Sequence, residues 1–295
     1  MSKKFTVGEL EEKANQIRRD LIKMLEHAGS GHSAGPLGMA DVFTALYFDV
    51  LNHDPKSPNK PDRDILVLSN GHIVPIRYVT MAHAGYFPKE ELMTLRKFGS
   101  RLQGHPERTR LPGLETTSGP LGSGISQAAG MALALKMQQE HHRTVYCCAS
   151  DGELNEGNSW EGILFAGKNK LFNLTVIIDR NNIQIDGMTE DIMPLEDLKE
   201  KWEAFNWHVL DIDGHNIEAV IDACQMAKAI VEKPTVIIAH TIPGKGVDYM
   251  EFDYRWHGDP PGKGDKPGSP PAKLQAKEAL HQLRTLGGKI RGEHE

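Results

Sequence analysis

Only three cysteines occur in the 295 residues, and two of them, Cys147 and Cys148, are adjacent in an apolar run where they cannot form an ordinary bridge to each other. A fold that rests on disulfides is therefore excluded. No CxxC or HxxxH spacing is present, which leaves the common zinc signatures without support. No stretch approaches the ~18 apolar residues of a membrane span, and the opening MSKKFTVGELEEK lacks the long apolar run of a signal peptide. The expectation is a cytoplasmic protein with no membrane partner. Basic runs are missing too: 34 Lys and Arg against 40 Asp and Glu are spread along the chain for a net charge of −6, so nothing could follow a phosphate backbone and nucleic acid is not an expected partner. A GxxxxGK[ST] loop is absent, as is a GxGxxG loop after the relevant strands, and two common phosphate-binding families fall away.

What is present suffices for a large core. With 39% hydrophobic residues, the length alone permits one big domain or two small ones. From about Gly8 to His27, Leu10, Ala14, Ile17, Leu21 and Leu25 recur at helical spacing, with Gly29 and Gly31 as stop signals. Four short β-branched runs, Ile65 to Leu68, Thr144 to Ala149, Leu174 to Asp179 and Pro234 to His240, read as buried strands. Helical segments such as Gly124 to Gln139 and Gly157 to Lys170 lie between them, at the spacing of βαβ units. An α/β fold is expected, with a doubly wound, mostly parallel sheet flanked by helices. Ligands of such sheets sit beyond the carboxyl ends of the strands, here Ser69 to His72, Ser150 to Gly157 and Asp179 to Gly187. After His257 the chain reads GDPPGKGDKPGSPPAK, with a last helical pattern from about Pro271 to Leu286, so a main domain over residues 1–257 and a Gly/Pro-rich extension over 258–295 are expected.

The sharpest local signal is Ser150-Asp151-Gly152 at the end of one apolar strand and Asn181-Asn182 just after the next. If the strands are neighbours, a carboxylate and an amide oxygen meet on adjacent loops. Both are hard ligands suited to Mg²⁺, and Gly152 would let a diphosphate approach the backbone. The plainer reading of the same residues is a cap by Asp151 and a turn at Asn181-Asn182. Fourteen histidines is a high count, and several lie in Gly-rich surroundings, among them His32, His72, His105 and His257. Each alone reads as a turn residue; together they suit a polar cleft that moves protons among hydroxyls and carbonyls.

The strings GHSAGPLGMAD from Gly31, LSNGH from Leu68, GHPERTRLPGLETTSGPLGSGIS from Gly104, SDGELNEGNSWE from Ser150, NNIQIDG from Asn181 and WHGDPP from Trp256 occur in one order. In that order they resemble the N-terminal part of transketolases, from about Ile17 to Pro261. The resemblance implies thiamine diphosphate and Mg²⁺ as cofactors, with Ca²⁺ or Mn²⁺ as possible substitutes. Asp151 and Asn181 look like the side-chain metal ligands and Ile183 like the donor of a backbone carbonyl. Gly152 and His72 would hold the diphosphate, Gly119-Pro120-Leu121 looks like the loop against the thiazolium ring, and Ile185 is similar to the family's apolar contact near the cofactor. His32, His105 and His257 match histidines of the substrate channel, and Glu156 looks like the glutamate that communicates across the subunit interface. The implied activity is transfer of a two-carbon ketol unit from a ketose or its phosphate to an aldose or its phosphate.

The chain departs from the family pattern in three ways. Ser150 replaces the usual glycine before Asp-Gly, a change expected to be tolerated, and Ser33-Ala34 follow His32 where the family has Pro-Gly, which puts substrate preference in doubt. The family's pyrimidine-binding and C-terminal domains would need several hundred more residues. The expectation is therefore an N-terminal subunit that works with a separate C-terminal subunit, as two copies of each chain in a heterotetramer. Two rivals stand beside it: a non-catalytic or regulatory subunit with the same fold, and a different thiamine-diphosphate ketol transfer, such as synthesis of deoxyxylulose phosphate.

Overall fold

The computed structural model describes residues 5–284. Helix α1 (Val7–Ala28) starts on a capping box, in which the Thr6 hydroxyl accepts from the Glu9 N–H at 3.3 Å and the Glu9 carboxylate accepts from the Thr6 N–H at 2.8 Å. Leu10, Ala14, Ile17, Leu21 and Leu25 all point inward, as their spacing predicts, and Gly29 ends the helix at φ 62°. Next come α2 (Ala34–Gly38), α3 (Ala40–Ala45), β1 (Ile65–Leu68), α4 (Val74–Ala84), α5 (Gly124–Met137) and β2 (Val145–Ser150). The chain continues through α6 (Gly157–Lys168), β3 (Leu174–Arg180), α7 (Thr189–Ile192), α8 (Leu198–Ala204), β4 (His208–Asp213), α9 (Ile217–Ala229), β5 (Thr235–His240) and α10 (Ala272–Leu283).

The strands form one sheet in the order β1-β2-β3-β5-β4, with every pair parallel. Alternate residues face opposite layers. On β2, Tyr146 and Cys148 join the cluster built by α1, α3, α4 and α9, whereas Val145, Cys147 and Ala149 join the cluster of α5, α6 and α8. Cys147 and Cys148 are both buried free thiols on opposite faces, which is why neighbours in sequence do not meet.

The four anticipated strands lie within one residue of their expected ends. Strand β4 was not anticipated. It is an edge strand whose His208, Asp211 and Asp213 are only partly buried or exposed, so the apolar signal of a buried strand is missing while charge suits an open edge. The last helix ends at Leu283, short of Leu286, which lies outside the described residues. Ala276, Ala279 and Leu283 on α10 pack into the α1 cluster. The Gly/Pro-rich stretch before it is held by buried Gln275, whose amide donates to the Gly264 carbonyl at 2.9 Å and accepts from the Gly262 N–H at 2.8 Å.

A buried charged group ties the layers together near the sheet's carboxyl edge. The Arg18 guanidinium grips both Asp41 oxygens and donates to the Leu37 carbonyl at 3.0 Å. His215 accepts from the Ile242 N–H at 2.7 Å through Nε2, so its Nδ1 carries the proton and donates to Asp41 at 2.8 Å. Burial alone would raise Asp41, yet Arg18 and His215 outweigh it and hold the carboxyl at about 2. The loop that follows β5 is fixed by this group.

Candidate functional site

At the end of β2 the Asp151 carboxylate is completely buried and accepts three hydrogen bonds: from Gly152 N–H at 2.7 Å, Asn182 N–H at 2.7 Å and Arg180 Nη1 at 3.2 Å. Its N-cap geometry over the 3₁₀ turn Gly152–Asn155 is the plainer role the sequence also allowed. Asn181 likewise makes an Asx turn, its Oδ1 accepting from Ile183 N–H at 3.0 Å. Its Nδ2 donates to Asp179 at 2.8 Å, and Asp179 also accepts from the Thr241 hydroxyl on the loop after β5. Asn182 supplies the N–H to Asp151 from a left-handed backbone, φ 63°, which asparagine tolerates. Because β2 and β3 pair with Ser150 opposite Asp179, Asp151 and Asn181 reach the same loop layer. Burial raises Asp151 to about 6 against the pull of Arg180 and the backbone N–H groups, and burial with the Asp151 charge nearby raises Asp179 to about 7.

Glu153 organises the site, yet nothing in the sequence pointed to it. Its fully buried carboxylate accepts from the Ser69 hydroxyl, from Gly122 N–H at 2.7 Å and from Ser150 N–H at 3.4 Å, and burial raises it. Ser69 in turn accepts from Gly124 N–H at 3.0 Å. One carboxylate thus ties the end of β1, the end of β2 and the loop before α5. The contact is close enough that a Cβ on Gly124 would lie 2.2 Å from Ser69 Oγ, so only glycine fits there. Gly71 is equally constrained, since a Cβ would sit 2.7 Å from Ser118 Cβ and 3.0 Å from the Gly119 nitrogen. Ser150, the departure from glycine, is accommodated with 6% of its surface exposed.

Three of these four histidines, His32, His72 and His257, form a cluster. The ring centroids are 4.9 Å apart for His32 and His72, 5.5 Å for His32 and His257, and 5.1 Å for His72 and His257. His105 is near enough for its charge to act on His32 and His72 but shares no ring contact with them among the described residues; it lies against Gly119, whose added Cβ would be 3.8 Å from its ring, and lines an open cavity of ≈ 480 Å³ with Arg96, Gln103 and Ser118. The Ser33 hydroxyl donates to the Asp259 carbonyl at 2.6 Å and lies 3.1 Å from that of Trp256, so this departure is what docks the WHGDPP segment beside His32. Burial and mutual repulsion lower His32 to about 3, burial lowers His257 to about 4, and both causes push His72 well down. All three are neutral at neutral pH. Nδ1 of His32, Nδ1 of His257 and both amide atoms of fully buried Asn70 have no hydrogen-bond partner among the described residues.

The remaining expected residues frame this region. Leu121 and Ile185 are exposed apolar side chains, 39% and 68% accessible. Glu156 is exposed at the N-cap of α6 and touches the loop before α5, where a Cβ on Gly122 would lie 2.7 Å from its own Cβ. Ile183 is buried and bridges Met188. Gly35 of α2 links the two halves, since a Cβ there would meet Ile73 at 2.9 Å and Asp179 at 3.9 Å. No group of three or more His, Cys, Asp or Glu placed to hold a metal is found among the described residues. A cation here would need amide and carbonyl oxygens beside a single carboxylate.

The family described as transketolase, thiamine diphosphate binding domain, matches residues 10–267. The chain belongs to this transketolase family. It is 44% identical over 243 residues to the 6-deoxy-6-sulfo-D-fructose transketolase subunit SqwG of Clostridium sp. (strain MSTE9), covering 82% of this chain and 88% of that one. It is 41% identical over 251 residues to an apulose-4-phosphate transketolase subunit of Phocaeicola vulgatus, covering 85% and 89%. Its fold matches the crystal structure of Campylobacter jejuni transketolase with a TM-score of 0.80 at 34% identity, covering 94% of this chain. The chain spans 45% of that solved transketolase. Among the described residues, no helix is long and apolar enough to cross a membrane.

Proposed function

We propose that the chain is the diphosphate-binding subunit of a thiamine-diphosphate- and Mg²⁺-dependent transketolase and that it acts with a separate subunit carrying the pyrimidine-binding half. The observation that carries this reading is the meeting of Asp151, Asn181 and a cluster of neutral histidines at the carboxyl ends of the parallel strands. The donors fit the group: a carboxylate and an amide oxygen are hard ligands, and Mg²⁺ is usually completed by phosphate oxygens and water. Asn70, His32 and His257 fit it as well, because buried polar atoms without partners inside an otherwise satisfied site mark a recognition surface. Relatives named as transketolase subunits, over most of whose length this chain aligns, support the separate partner.

In this reading Asp151, Asn181 and the Ile183 carbonyl hold the cation, while Gly152 and His72 receive the diphosphate. The bound cofactor supplies the carbon nucleophile and the electron sink for cleavage of a carbon–carbon bond. The chain's own part is positioning and proton traffic. Neutral His32 and His257 can each accept or donate at a sugar hydroxyl or carbonyl oxygen, and His105 stands at the mouth of the open cavity to do the same for the acceptor. Leu121 and Ile185 offer apolar surface to the cofactor ring. Glu156, exposed beside the glycine loop, would reach the partner. The assembly would hold two copies of each chain and work in the cytoplasm, where three buried free cysteines stay reduced.

Calorimetric titration of thiamine diphosphate and Mg²⁺ into the chain, with and without its partner, tests this. Asp151→Ala should weaken binding by at least about 100-fold, since even outer-shell partners of a metal cost about 10–100-fold. Binding that ignores Asp151 would sink the assignment. A complex that binds both cofactors without ketol transfer would leave the regulatory reading.

A further inference from the structure

Arg180 has no part in the function above, yet it occupies the most sensitive place in the site. Its Nη1 lies 3.2 Å from Asp151 Oδ2 and its Nη2 2.6 Å from Glu190 Oε1, with 11% of the side chain exposed. Glu190, in the first turn of α7, is anchored in turn: its carboxylate accepts from Leu195 N–H at 3.2 Å and Glu196 N–H at 3.4 Å. The Arg180 carbonyl accepts from Thr241 N–H at 3.3 Å, which holds the backbone, so any displacement of the guanidinium would come from rotation of the side chain.

A guanidinium is charged at every accessible pH, and a completely buried carboxylate without a cation is costly, so Arg180 supplies the charge that Asp151 needs. The same contact opposes a divalent ion. A cation bound to Asp151 would stand within a few ångströms of the guanidinium in poorly hydrated surroundings, where like charges repel strongly. Glu190, at the far end of the guanidinium fork, gives Arg180 a second carboxylate to keep.

We propose that Arg180 is the resident counter-ion of Asp151, that a divalent cation must displace it, and that Glu190 retains it, so the Asp151–Arg180–Glu190 chain sets the cation threshold of the site. The displacement half rests on the proposed cation site; the counter-ion half does not.

The experiment uses the full chain and two readouts. In urea unfolding of the metal-free protein, Arg180→Met should lower the midpoint, and Asp151→Asn should remove most of that loss in the double variant. An Arg180→Met midpoint equal to wild type, or strictly additive losses, would overturn the counter-ion role. Arg180→Lys keeps the charge without the fork and should unfold close to wild type, which separates loss of charge from a general folding defect. In the second readout free Mn²⁺ is followed by its electron paramagnetic resonance signal as it binds in saturating thiamine diphosphate. Arg180→Met should bind Mn²⁺ about tenfold more tightly, and Glu190→Gln several-fold more weakly because it leaves the guanidinium to Asp151 alone. Weaker binding by Arg180→Met would overturn displacement and assign Arg180 to gripping the diphosphate. No Mn²⁺ binding by any form would defeat the cation reading itself, and the unfolding cycle would still decide the counter-ion.

Discussion

The acidic region at the ends of β2 and β3 is buried and the neighbouring histidine cluster half-buried, and loss of water drives both toward their uncharged forms: Asp151 up to about 6 and Asp179 to about 7, His32 down to about 3 and His257 to about 4. They differ in how their polar atoms are satisfied. Asp151, Asp179 and Glu153 all accept hydrogen bonds from within the chain, several from the backbone. In the cluster, His32 and His257 each leave a nitrogen without a partner, and nearby Asn70 leaves its whole amide. The acidic region is therefore scaffold as well as candidate ligand, whereas the histidine cluster leaves polar atoms unpaired among the described residues.

If that contrast holds, damage to the acidic region costs stability first. Glu153→Ala strands Gly122 N–H, Ser150 N–H and the Ser69 hydroxyl together, and should cost about 3 kcal/mol or more in urea unfolding. A cost under ~1 kcal/mol would mean that water replaces the carboxylate freely. Gly124→Ala forces a methyl into Ser69 and should cost about 2 kcal/mol, with the loop before α5 gaining amide exchange ahead of the sheet.

The pH dependence sets the two regions against each other. The histidine pKa values are lowered on folding, so their contribution to stability is full above about 6.5 and is lost as pH falls toward 3–4. Asp151 and Asp179 are raised, so theirs is full below about 3.8 and is lost as pH rises through 6–7. Between pH 6.5 and 4.5 the two slopes oppose. His257→Gln removes one histidine contribution, and the variant should lose less stability over that range than wild type, by up to about 1.4 kcal/mol per pH unit. Parallel curves for variant and wild type would show that His257 is not held neutral by the fold. The smallest effect is expected of Ser33→Ala, about 1 kcal/mol, with faster amide exchange confined to residues near Trp256 and Asp259.

Much of this was legible in the chain itself. Strands β1, β2, β3 and β5 announced themselves because both faces are covered, and residues buried on both faces read as continuous apolar runs. Strand β4 did not, because an edge strand can carry His208, Asp211 and Asp213 without penalty. In the site, Asp151, Asn181 and the histidines stood out because glycine and polar residues cluster at the ends of those runs. Glu153 and Arg180 were silent: a lone charged residue beside a strand end reads as a solvated side chain until the fold closes over it.

Composition, periodicity and capping by themselves determined a parallel α/β chain with its polar, glycine-rich loops at one edge of the sheet, since these are local consequences of which residues are apolar and where the backbone can turn. Only the tertiary structure decided that β5 lies between β3 and β4, that the rings of His32, His72 and His257 meet, and that Glu153 and Arg180 hold the acidic region. Those are contacts between residues tens to hundreds of positions apart, and they are set by strand order and by which carboxylates burial obliges to find partners.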